Sequence, residues 1–218
     1  MFIDMNKVFR PNTTPSVNRP VIEASPYVPP VDPPVEPPVD TPTPRVWSFS
    51  GITEIPEGWN WTGETPIQFD PTRIRIKRNS QGNWSQSYLE SPVLDLDNFN
   101  VEFEYDFRGL AGVGISEDLG SNVMFNNGSQ TLEVTEGGGV FYEGQKQVTF
   151  PSHTRATVYV MELRKGDNSL YVEVRERNSG AVLGSHTYNV FDHVDTKGFF
   201  DASYADMYVY ELREVEKT

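Results

Sequence analysis

The sequence predicts an all-β fold: an antiparallel sandwich of jelly-roll type, preceded by an extended N-terminal arm and a polyproline II linker. Three observations lead there. From Val46 onward, short aromatic or β-branched runs are separated by Gly, Asn and Ser turns. Several of those runs alternate with period two, and no segment sustains an apolar period of 3.6 residues. Upstream, prolines recur so densely between Val28 and Pro44 that neither a helix nor a central strand is available.

Strands are expected near 46–50, 72–77, 86–90, 99–107, 111–116, 121–125, 131–135, 139–142, 147–150, 155–164, 169–177, 181–189 and 204–214. In the longest, Phe99, Val101, Phe103, Tyr105 and Phe107 share one face, while Asn100, Glu102, Glu104 and Asp106 share the other. Lys165-Gly166-Asp167-Asn168 and Asn178-Ser179-Gly180 are turn signals that join three consecutive strands into a meander. Residues 46–218 number 173, enough for one sandwich with a proper core.

Three segments are expected: a docking arm over 1–27, a stalk over 28–45 and the β-sandwich over 46–218. The stalk repeats Pro-Pro-Val-Asp, Pro-Pro-Val-Glu, Pro-Pro-Val-Asp from Pro29 to Asp40. As polyproline II, rising about 3.1 Å per residue, Val28–Pro44 would span roughly 50 Å. The arm holds scattered apolar anchors and cannot bury enough surface to fold alone. Phe2, Ile3, Val8 and Phe9 are candidates to fill pockets on a partner, and Val21 and Ile22 to add a strand to a sheet edge. The plainer alternative for this arm is a disordered tail.

Composition narrows the partners. The chain has a net charge of −13. Residues 46–218 hold 14 Lys/Arg against 26 Asp/Glu, which argues against nucleic acid and anionic membrane as partners. Cysteine is absent, so disulfides and thiolate metal sites are excluded and folding in a reducing cytoplasm is compatible. No run approaches 18 apolar residues, and the first twenty lack the basic-then-apolar pattern of a secretory signal. Asn-X-Ser/Thr triplets at Asn12, Asn60, Asn83 and Asn127 are read as chance.

The order of features resembles a concanavalin A-like, or laminin G-like, jelly roll. The likeness rests on Val46-Trp47-Ser48-Phe49, on Ser87–Leu96 leading into Phe99–Phe107, on the hairpin of Leu170–Val174 and Ser179–Leu183, and on the closing Ala205–Tyr210. The layout of arm, proline stalk and jelly roll is also similar to virion-attached decoration or fibre proteins of tailed bacteriophages. That second likeness implies a protein made in the host cytoplasm and carried on the virion surface.

Candidate chemistry is sparse. Glu102, Glu104 and Asp106 lie two apart, and paired carboxylates about 5 Å or more apart serve glycoside hydrolysis. Some jelly-roll glucanases carry an E-x-D-x-x-E or E-x-D-x-E strand, but here Glu104 stands where the central Asp would be and Asp106 takes a terminal position. The solvent face of a half-buried strand is the preferred reading, so no catalytic residue is assigned. Trp59, Trp61 and Trp84, with Asn83 and Gln86, are the glycan-binding candidates, offering flat π-faces beside amides. Each tryptophan has a competing role as a plug at a sandwich end, and Trp47 is assigned to the core. Asp95-Leu96-Asp97-Asn98 crowds two acids and an amide but lacks an EF-hand pattern and reads as a turn. His153, His186 and His193 are not spaced as metal ligands, so neither metal nor cofactor is assigned.

The expected function is therefore a non-enzymatic virion attachment protein. Residues 1–27 would anchor to a phage capsid or tail protein, and the stalk would project a domain that binds surface glycan. The alternative is an extracellular carbohydrate-binding module or a glycoside hydrolase of the concanavalin A-like class. A homo-oligomer fits either reading, though no heptads or triple-helix repeats demand one.

Overall fold

The computed structural model describes residues 41–78, 87–117, 131–202 and 205–217. They belong to one compact unit, Thr41–Thr218. Among the described residues there is no helix; the strands form two antiparallel sheets. In chain order they are β1 (Val46–Ser48), β2 (Asn60–Thr62), β3 (Gln68–Asp70), β4 (Arg73–Ile76), β5 (Tyr88–Val93), β6 (Phe99–Phe107), β7 (Gly112–Ser116) and β8 (Thr131–Thr135). There follow β9 (Gly139–Tyr142), β10 (Gln145–Thr149), β11 (Tyr159–Lys165), β12 (Leu170–Glu176), β13 (Val182–Tyr188), β14 (Lys197–Asp201) and β15 (Met207–Glu216).

The first sheet runs β13-β12-β11-β6-β15-β4-β3, and the second β10-β9-β8-β7-β14-β5-β2. At ten residues, β15 is long enough to use two partners along one edge: β4 pairs with Met207–Val209 and β1 with Glu211–Arg213. The inner faces of both sheets share one core, in which Phe103, Tyr105, Leu89, Ile115, Val134, Val172 and Phe200 are fully buried. Alternation along β6 is as expected on that side, with Phe99, Val101, Phe103, Tyr105 and Phe107 all buried. The β11-β12-β13 meander forms as expected. Its second turn needs Gly180, whose φ of 70° is one that β-carbon-bearing residues rarely adopt.

Three strands escape the sequence pattern. β2 and β3 are three-residue edge strands in a stretch punctuated by Pro56, Gly58, Gly63, Pro66 and Pro71, where a loop is the natural expectation. β14 carries only Phe199 and Phe200 as apolar residues, pointing to opposite faces; both are buried because β14 is interior to the second sheet, between β7 and β5. β11 starts at Tyr159 rather than 155. Ala156 has a φ of 65°, and Thr157 N–H donates to Thr154 O at 3.2 Å, so the chain turns there first. The expected strand at 121–125 lies outside the described residues.

Arg45 is fastened to the far end of β15. Its backbone N–H and its Nε both donate to Glu214 Oε2 at 2.9 Å, and Asp95 N–H donates to Glu214 Oε1 at 2.9 Å. Burial alone would raise the Glu214 carboxyl, but these hydrogen bonds and the Arg45 charge outweigh it and hold it below the usual range. The acid is therefore ionised and saturated, and Arg45 is part of the fold.

His153 is buried against Tyr105, Phe107 and Tyr159. Its Nδ1 lies 3.3 Å from Glu136 O, which can only accept, so Nδ1 carries the proton and Nε2 accepts from the Tyr105 hydroxyl at 3.0 Å. Burial lowers its pKa from 6.5 to about 4. Between those values the unfolded chain binds more protons than the folded one. This contribution is complete above 6.5 and is lost as pH falls toward 4, by roughly 3 kcal/mol in all. His153→Gln, which keeps an acceptor for Tyr105, should flatten the loss of stability between about pH 7 and about pH 4.5. Urea melts of both proteins check this; equal pH slopes would mean that His153 does not titrate as described.

Candidate binding site

Trp59 is not a surface group. It is 7% exposed, its ring centroid lies 5.0 Å from Phe49 and 5.9 Å from Trp47, both edge-on, and it stacks on Phe200 at 6.4 Å. The sugar-platform reading of Trp59 is corrected to its competing one, a core plug. Trp47 is only half-buried but packs on the same cluster, under the Arg45 guanidinium. Trp61 pairs in register with the buried Leu89 and turns its indole toward the core, half-covered. Asn83, Trp84 and Gln86 lie outside the described residues. The described part of the tryptophan set is thus not gathered on an open face.

The outer face of β6 is also unlike its expectation. Glu102 and Asp106 are buried, not solvated. Because β6 is interior to its sheet, its outward side chains are roofed by arginines from β12 and β15 and from the turns that follow β12 and β6. Glu102 accepts from Arg213 Nε at 2.7 Å and from Arg175 Nη2. Arg175 Nη1 also donates to Glu162 at 2.8 Å and lies 3.6 Å from Glu173. Register places Glu102, Glu162 and Glu173 side by side on β6, β11 and β12, so one guanidinium serves three carboxylates. Arg164 hydrogen-bonds Glu162 and, with Arg175, holds that carboxyl below the usual range against its burial.

Glu104 pairs with Arg177 at 2.7 Å, yet burial pushes its carboxyl above the usual range. Asp106 is 1% exposed; burial raises it likewise, opposed by Arg108 at 2.8 Å and by the Ala156 N–H at 3.1 Å. An acid–base pair needs carboxyls free to meet a substrate. Here each is held by a guanidinium, and the face neutralises itself.

Polar groups converge instead at the other end of β6. The β5–β6 loop, the end of β11 and the segment before β14 enclose a cleft of about 290 Å³, bordered by Asp95, Asp97, Lys165, His193, Asp195 and Thr196. Lys165 Nζ lies 2.8 Å from Asp97 Oδ1 and donates to His193 O at 3.3 Å. Asp95 is spent on a turn: Asn98 N–H and Nδ2 both donate to its Oδ1 at 3.1 Å. With Asp95 held by Asn98 and Asp97 by Lys165, this cluster does not fit a calcium ion. Among the described residues no group of three or more His, Asp or Glu side chains is placed to hold a metal.

His193 is buried in the wall of the cleft and stacked on Tyr142. Burial lowers its pKa, outweighing Glu117 and Asp192, so the imidazole is neutral near pH 7. The Tyr142 hydroxyl donates to Val190 O at 3.4 Å and so accepts from His193 Nε2 at 3.0 Å, leaving Nδ1 as an acceptor without a partner among the described residues. Val93 and Val194 supply an exposed apolar rim, Val194 being 66% exposed.

No family model matches the chain, and no curated protein matches it by sequence. Solved structures do match. The sandwich aligns with peanut lectin bound to a nine-residue peptide at a TM-score of 0.56 and 10% identity, over 79% of this chain and 97% of that one. Arcelin-5, a lectin-like defence protein from Phaseolus vulgaris, gives 0.54 at 12% identity, over 81% and 100%. The exoplasmic/lumenal domain of VIP36, bound to Ca²⁺ and Man2, gives 0.54 at 7% identity, over 74% and 82%. The fold is concanavalin A-like.

Within this concanavalin A-like sandwich, the cleft is the feature the sequence hid. Asp95 and Asp97 stood out only as a turn, and His193 was set aside for lack of ligand spacing. Lys165 is marked by sequence only as part of a turn, and Asp195 and Thr196 carry no signal, because the fold brings together segments about 30 and 70 residues apart. The carboxylate roof yields a test of its own. Arg175→Met should cost roughly 2 kcal/mol, somewhat less than the roughly 3–5 kcal/mol for stranding a fully buried charge, since Glu102 keeps Arg213. Chemical denaturation checks it, and a change within about 0.5 kcal/mol would mean that the roof is decorative.

Proposed function

We propose that the chain is a non-enzymatic attachment protein whose sandwich binds glycan. Residues 1–27 dock onto a larger assembly, and residues 28–45 hold the domain away from it. The observation that carries the glycan reading is a concanavalin A-like sandwich with a polar, apolar-rimmed cleft at one end. Several structural neighbours are lectins by name, and VIP36 is seen with Man2. In the cleft, Asp97, Asp195 and Thr196 accept or exchange hydrogen bonds with sugar hydroxyls, Lys165 donates, and Val93 and Val194 meet the apolar C–H face. Each contact is weak, and many copies on one particle make the adhesion strong. The layout favours a phage capsid or tail as the particle.

A second reading has its own observation. Glu104 and Glu211 are register partners on β6 and β15 and line a shallow cleft of about 260 Å³ with Tyr210. A raised carboxyl beside a second one is the layout of a retaining glycosidase. Arg177 on Glu104 and Arg213 on Glu211, at 2.7 and 3.1 Å, weigh against it.

Glycan-array binding of the full chain tests the first reading. Asp97→Asn and Asp195→Asn should each weaken binding at least about fivefold with unchanged melting, since each removes a charged hydrogen-bond acceptor. Asn also tolerates the φ of 47° at position 195. Loss with Trp61→Ala or Trp84→Ala but not with the aspartate variants would move the site to the tryptophan loops. Turnover of a bound glycan, abolished by Glu104→Gln, would replace the attachment reading by the hydrolase. Sedimentation with and without residues 1–27 tests the arm: both forms staying soluble would refute docking.

A further inference from the structure

At the opposite end of β6 from the glycan cleft, roughly 27 Å along the strand, lies a second opening. It encloses about 400 Å³ and is lined by Arg78, Arg108 and Arg155, with Asp206, Gly109 and Ala205 among its other residues. Three guanidiniums bordering one opening are unexpected in a chain of net charge −13. The one acid in the lining is already engaged: Asp206 Oδ2 accepts from Arg75 Nε at 2.8 Å and its Oδ1 from the Arg78 backbone N–H at 3.4 Å. Arg108 is held in place by the buried Asp106 and by the Tyr208 ring, 4.7 Å beneath its guanidinium carbon. Its Nε is buried and has no hydrogen-bond partner among the described residues. Arg155 is largely solvent-facing, with a side chain 70% exposed, and meets only Glu136, at 3.8 Å. Among the described residues no carboxylate pairs with the Arg78 side chain.

Small residues keep the opening clear. A Cβ on Gly109 would lie 2.6 Å from Ala205 Cβ and 3.9 Å from Arg155 Nη2, so a side chain there would collide with the lining. Guanidiniums so arranged repel one another in the empty state, and a forked donor set matches the oxygens of an oxyanion in a way that ammonium groups do not. We propose that this opening is an oxyanion-binding site, taking a sulfate, phosphate or carboxylate group either as a free ion or on an acidic saccharide. Arg108 forms the fixed wall, and Arg78 and Arg155 close on the anion from the solvent side. The site stands independently of the glycan cleft, with which it shares no residue.

Isothermal titration of the full chain with sodium sulfate and, separately, with a heparin-derived hexasaccharide tests this at two salt concentrations. Arg78→Gln and Arg155→Gln are the informative variants, because both residues are exposed and the one ion pair between them, Arg155 with Glu136 at 3.8 Å, is a weak surface pair; Arg108→Gln would strand Asp106. Each substitution should weaken binding about fivefold to tenfold, the double variant more, with a shallower salt dependence. Lys146→Gln, an exposed charge on β10, should change nothing. Hexasaccharide binding much tighter than sulfate identifies a saccharide-borne anion; equal affinity per sulfate group identifies the free ion. No binding of either probe, or equal losses in Lys146→Gln and the double arginine variant, overturns the site.

Discussion

β6 must bury both of its faces, and most of the domain answers that demand. It is interior to the first sheet, between β11 and β15, with five apolar side chains facing the core and three acids facing away. An unpaired buried carboxylate is far more costly than a paired one. The outward acids can therefore be tolerated only if cations arrive from elsewhere at fixed heights along the strand. Arg213 comes from β15, Arg175 from β12, Arg177 from the turn beyond it and Arg108 from the end of β6 itself. A one-residue slip of β11 would turn Glu162 into the core and Leu163 outward, and would leave Arg175 without its second acid. The charge roof adds modest net stability, and it disfavours that one-residue slip.

That strand also fixes where the surface features lie. The loop entering β6 carries Asp95 and Asp97 to one end of the sandwich, and the turn leaving it carries Arg108 and Gly109 to the other. The first end gathers acids and a neutral, half-satisfied imidazole; the second gathers guanidiniums. A rigid, doubly buried strand is a good spacer for two such sites, because neither end can move without shifting core aromatics and the ion pairs together.

The fold class was legible because its signal is local and repeated. Period-two alternation in β6, β11 and β12, and turns such as Asn178-Ser179-Gly180, are statements about neighbouring residues. The architecture failed to show where strands are short or doubly buried. β14 has no alternation to display, since Phe199 and Phe200 are buried on opposite faces. The candidate site was legible only in fragments. Aromatic composition pointed to Trp59, which the core claims, while the cleft depends on loops far apart in the chain. Acidity misled in the same way: Glu102 and Asp106 look solvated until the sheet order shows which arginines lie over them.

Charge balance is a sharper guide once the pairings are known. With 31 acids and 18 bases, every arginine in this chain has carboxylates to spare, and the outer face of the first sheet uses them: Arg164, Arg175, Arg177 and Arg213 are each bound to an acid. Weakly paired arginines are therefore the exception, and two of them, Arg78 with no carboxylate on its side chain among the described residues and Arg155 with Glu136 only at 3.8 Å, share one opening with a third whose Nε is unmatched. Chance exposure would scatter such residues. Long-range repulsion from the acidic body discourages anions in general, so an anion that binds here must be selected by short, directional contacts. A forked donor set supplies contacts of that kind. The acidic body repels a dianion more than a monoanion, so selectivity for an oxyanion over a simple anion has to come from that donor geometry alone.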